Sequence, residues 1–111
     1  MELATIAKEC AFRGWDGFDA DPIRAETVLA VSRFLESLPP GIPAPDVAAE
    51  PDGDITLEWH RSPWRTLSIS VSRNNMLHYS ALIGSSKHFG TEVLSDQVPK
   101  NLLNIIRHVQ P

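Results

Sequence analysis

Apolar residues recur at two periods along this chain, and each period predicts a different element. Over residues 2–12, Leu3, Ile6, Ala7 and Cys10 fall at helical spacing and give a one-sided helix. A second helix is predicted over 22–38, where Val28, Val31, Leu35 and Leu38 line one face with Phe34 beside them. The period then changes to two. In ITLEWH, Ile55, Leu57 and Trp59 alternate with Thr56, Glu58 and His60, and in TLSISVS, Leu67, Ile69 and Val71 alternate with serines. MLHYSALIG repeats the pattern with Leu77, Tyr79, Ala81 and Ile83, and a short fourth strand is expected at 87–92. Helical spacing returns at the end with Val98, Leu102, Ile105, Ile106 and Val109.

Turn chemistry separates these segments. Asp21 is the expected N-cap of the second helix with Pro22 at its first position, and Pro39-Pro40-Gly41 stops it. Residues 39–54 hold five of the nine prolines and read as a stiff, poorly pairing crossover that ends in an Asp52-Gly53 turn. Arg73-Asn74-Asn75 turns the chain between strands, and Asp96 with Pro99 is expected to start the last helix. The predicted fold class is α+β, one domain over 1–111. Two N-terminal helices precede an antiparallel meander of three to four strands, and a C-terminal helix packs on one sheet face.

Composition narrows the partners. The chain has 42% hydrophobic and 22% charged residues and a net charge of −4, as an ordinary globular protein does. That balance argues against nonspecific binding to nucleic acid or anionic membranes. Charge is uneven, with an acidic run at Asp46, Glu50, Asp52, Asp54 and Glu58, then Arg61, Arg65 and Arg73 without an acid between them. The single cysteine excludes an internal disulfide, and no apolar run reaches transmembrane length, so the cytoplasm is the expected compartment. Cys10 lies on an apolar stripe and is expected to be buried rather than reactive.

Candidate chemistry is sparse. Nucleophile elbows, phosphate-binding glycine loops and paired cysteines are absent from the sequence. In GWDGFDADPI, Asp16, Asp19 and Asp21 resemble an acidic metal loop, but the twelfth position counted from Asp16 is Thr27, where a calcium loop needs glutamate. Local roles are expected instead: Asp16-Gly17 turns the chain, Asp19 accepts backbone amides, Asp21 caps a helix and Trp15 plugs the space between the first helix and the sheet. His60, His78 and Glu58 could share a zinc ion if the two histidines stood on neighbouring strands. Trp64, between arginines in HRSPWR, either folds back over the sheet edge or serves as an interface anchor.

GWDGFDADPI, SLPPGIPAP, PDGDITLEWH and GTEVLSDQVPKNLLNII together resemble a family of small bacterial proteins with an NWDGYGA-like signature and a PDGEIxLEW-like strand. The resemblance covers roughly 14–107 and departs from the pattern at Gly14 and Asp19. It implies a compact bacterial accessory protein and carries no catalytic residues.

The functional expectation is a non-enzymatic protein-binding protein, without cofactor or metal, that neutralises or regulates one partner protein. Antitoxins, immunity proteins and phage-encoded inhibitors of host defence such as anti-CRISPRs work in this way. Steric blocking by an acidic surface is the expected mechanism, with Trp64, Arg61, Arg65, Glu58 and His60 as the partner-binding residues. The alternatives are a metal-binding or enzymatic domain built on His60, His78 and Glu58, and a structural homodimer joined through a strand edge or the last helix.

Overall fold

A computed structural model describes residues 2–110. The period-two segments pair into one antiparallel sheet of five strands, ordered β1-β2-β3-β4-β5. The strands are β1 (Asp46–Ala49), β2 (Ile55–Ser62), β3 (Arg65–Ser72), β4 (Met76–Ile83) and β5 (Ser86–Val93). Alternation puts Ile55, Leu57, Trp59, Leu67, Ile69, Val71, Leu77 and Ala81 on one face, all buried. Three helices cover that face: α1 (Leu3–Glu9), α2 (Ala25–Glu36) and α3 (Lys100–Val109). Ile6 from α1, Ala30, Val31 and Phe34 from α2, and Leu102, Ile105, Ile106 and Val109 from α3 join the same core. Among the described residues the opposite face carries no helix. Among the described residues, no helix is long and apolar enough to cross a membrane.

The α+β class and the one-sided layering agree with the sequence pattern, but the strand count does not. β1 lies inside the segment expected not to pair, and it pairs with β2 from Asp46↔Glu58 to Ala49↔Ile55. Proline forbids a central strand but not an edge one, and the five residues between Pro45 and Pro51 all carry amides that can pair. β5 is also longer than expected, running the full length of β4 from Met76↔Val93 to Ile83↔Ser86.

Helix boundaries move for a related reason. α1 ends at Glu9, and α2 starts at Ala25 with Arg24 as N-cap and no side-chain cap. The amides of Asp21 and Ile23 are taken by the carbonyls of Pro51 and Cys10, at 2.8 Å each, so 21–24 is held extended and cannot begin a helix. Asp21 is therefore not a cap. Nor is Asp96: α3 begins after Pro99, again without a side-chain cap.

Candidate functional site

β2 and β3 meet in a tight turn at Pro63-Trp64. Pairing shifts between His60↔Thr66 and Ser62↔Arg65, so Arg61 sits at a bulge without an opposite residue. Bulges of this kind re-aim side chains. The Trp64 amide donates to Ser62 Oγ at 3.2 Å. Its carbonyl accepts from the Gly84 amide at 2.8 Å, which ties this tip to the β4–β5 turn. With its backbone fixed on both sides, the indole is 67% exposed. It does not fold back over the sheet edge.

Arg61 and Arg65 flank it, both exposed. Among the described residues the ion pairs found are those of Arg13 with Asp19 and Asp21, so neither arginine meets a carboxylate. Residues 59–91 contain no Asp or Glu at all. The same end of the sheet adds Lys87 and His88 from β5 and His108 from the end of α3, which line one groove. A chain of net charge −4 thus has a basic, aromatic tip.

The zinc arrangement does not form. His60 and His78 lie on β2 and β4 with β3 between them, opposite Thr66 and Ser70 respectively. Two strand spacings and four residue steps separate their Cα atoms by roughly 16 Å. No group of three or more His, Cys, Asp or Glu among the described residues is placed to hold a metal ion. Glu58 and His60 remain exposed on the uncovered face, toward the basic tip.

His78 enters a different network. Its Nε2 lies 3.2 Å from Ser72 Oγ and its Nδ1 lies 3.1 Å from Thr91 Oγ1. A serine beside an imidazole has the spacing of a nucleophile and its base, but the second nitrogen meets a hydroxyl where a carboxylate would be needed to stabilise an imidazolium. Nearby, Ser70 Oγ donates to Asp54 Oδ2 at 3.2 Å. Burial, and then the neighbouring Asp52 charge, raise the Asp54 carboxyl above its ordinary 3.8, against the lowering effects of Ser70, His78 and Arg24. A raised folded-state value means the ionised form destabilises the fold, and the penalty grows as pH rises above 3.8. Asp54→Asn should therefore raise the melting temperature at neutral pH and lose that advantage below about pH 3.5. Thermal unfolding at the two pH values checks the sign.

GWDGFDADPI resolves into backbone chemistry. Asp16, rather than Asp19, accepts the amides of Phe18 and Ala20 at 2.9 and 3.3 Å. Asp19 and Asp21 both turn to Arg13, at 3.4 and 2.9 Å. Trp15 is half-buried against the core, and its indole N–H donates to the Asp21 carbonyl at 2.8 Å. Gly14 takes a φ of +77°, which suits glycine, and donates to the Ala20 carbonyl at 2.8 Å. Asp19 and Asp21 thus meet on a guanidinium, and no metal-holding group of three or more His, Cys, Asp or Glu forms among the described residues. Cys10 is buried at 1% exposure, and burial followed by the Glu9 charge raises its thiol, which disfavours the reactive thiolate.

Sequence reasoning missed the groove of about 610 Å³ between α3 and the β4–β5 hairpin. There the Tyr79 ring lies over Gly90, where an added Cβ would stand 2.5 Å from its Oη. Asn101 Nδ2 donates to that Oη at 2.9 Å. The available signal was a lone glycine within an alternating strand, which marks a close approach. Comparison with protein-family models, curated proteins and solved structures gives no match.

Proposed function

We propose that this chain is a non-enzymatic protein-binding protein that neutralises or regulates one partner protein, as antitoxins, immunity proteins and phage-encoded inhibitors of host defence do. It docks through the β2–β3 tip, with Trp64 as the anchor, Arg61 and Arg65 as flanking cations, and His60 and Glu58 at the rim. The observation that carries the reading is a tryptophan 67% exposed on a tip whose backbone is held by Ser62 and Gly84. Large aromatics and arginines on rigid supports are the side chains that concentrate binding energy in protein interfaces. The tip is basic, so the partner surface it fits is acidic and carries an apolar pocket for the indole. This revises the expectation of an acidic blocking surface, because residues 59–91, which hold the exposed aromatic and both arginines, contain no acid.

The arginines give the first test. The tagged chain should co-purify one stoichiometric protein from its source cell, and Arg61→Glu/Arg65→Glu should abolish the recovery without changing the melting temperature. Binding should also weaken as salt rises, since exposed charges are screened. Undiminished recovery by the double variant would refute the assignment, and recovery of nucleic acid in place of protein would do the same.

A further inference from the structure

The two sheet edges are built differently. β1 is four residues long with Pro45 and Pro51 just outside it, a protected edge. β5 is eight residues long, without proline, and pairs regularly with β4 throughout. The Leu94 amide donates to Asn75 across the end of this pair, so even-numbered residues of β5 turn their amides and carbonyls toward β4. Lys87, Phe89, Thr91 and Val93 then point theirs outward, with nothing among the described residues to receive them. On the uncovered face, Phe89 and Val93 are 69% and 60% exposed.

We infer that β5 pairs with β5 of a second copy, joining two five-stranded sheets into one about a two-fold axis at Gly90. Two-fold pairing with the core faces on the same side requires opposed residues to share a face, which places the axis at a residue rather than between two. Centring on Gly90 opposes Lys87 to Val93, Phe89 to Thr91 and His88 to Glu92. Each of the four outward residues then donates one amide in each chain, making eight backbone hydrogen bonds. His88 meets Glu92 of the second copy twice, on the face where Glu92 also accepts from Asn101 Nδ2 at 3.5 Å. No like charges face each other. Phe89 reaches Phe89 and Val93 of the second copy along the diagonals, so the exposed apolar side chains of both edges form one patch. Centring on Phe89 instead would leave Val93 unpaired and the imidazole opposite Gly90.

Charge exchange tests both the dimer and its register. Sedimentation equilibrium of the full chain at micromolar concentrations should give twice the monomer mass. His88→Glu places two glutamates opposite Glu92 of the other copy and should weaken the dimer roughly tenfold, as should Glu92→Lys. The combined His88→Glu/Glu92→Lys chain restores an opposite-charge pair and should recover the wild-type dissociation constant. Positions 88 and 92 are too far apart along one strand to rescue each other within a chain. Circular dichroism should be unchanged in all three variants, because both side chains lie on the solvated edge strand. A wild-type chain that stays monomeric overturns the inference, and so does a dimer whose strength ignores the exchange. Glu92 pairs with Leu77 at the end of β5 away from the tip, so the Glu92→Lys chain should still recover the proposed partner.

Discussion

Replacing Trp59 with alanine is expected to destabilise the fold by roughly 3–5 kcal/mol, the range for truncating a buried aromatic. The side chain is 1% exposed and packs on Phe34 with ring centroids 6.4 Å apart at 58°. Its indole N–H donates to the Pro43 carbonyl at 2.8 Å, so one residue joins the sheet, α2 and the proline-rich crossover. Domains of this size are stable by only about 5–15 kcal/mol, so the loss removes a large share of the total. Trp59→Phe keeps most of the area but gives up the hydrogen bond, and should cost about 1 kcal/mol, less than half as much as the alanine change. Urea unfolding of the three proteins checks the order. An alanine variant within about 1 kcal/mol of wild type would show that the crossover and sheet are not tied through this ring.

How much of this was legible in the sequence depended on the kind of signal. Alternation in residues 55–83 fixed three strands and the core face, because hydrophobic burial acts on every second residue of a strand. The helical stripe of Leu102, Ile105, Ile106 and Val109 was equally plain. β1 was hidden because an edge strand of four residues buries little, leaving Val47 and Ala49 as its only core-side residues among prolines. The start of α2 was misplaced because Asp21-Pro22 has good capping chemistry locally. Tertiary bonds to Pro51 and Cys10 override it. The zinc alternative failed on topology: alternation shows that His60 and His78 share a face, but not that β3 lies between them. At the candidate site, Trp64 and its arginines stood out in sequence, whereas the indole's exposure depends on Gly84 in another hairpin.

The second large effect concerns that indole. Trp64→Ala should reduce affinity for the partner by about 2 kcal/mol or more, roughly thirtyfold, as truncation of an interface anchor does. Stability should change by no more than about 0.5 kcal/mol, because the side chain is 67% exposed and its amide and carbonyl bonds survive the substitution. The contrast with Trp59 is the point: two tryptophans five residues apart on one hairpin serve different ends. Phe18, 87% exposed in the loop after α1, provides the control for exposed aromatic surface in general.

Calorimetric titration of the purified partner with wild type, Trp64→Ala and Phe18→Ala is therefore the most direct test. Binding lost for Trp64→Ala and kept for Phe18→Ala, with all three equally stable, is the predicted result. Equal affinities for wild type and Trp64→Ala would contradict the assignment of the β2–β3 tip as the binding surface.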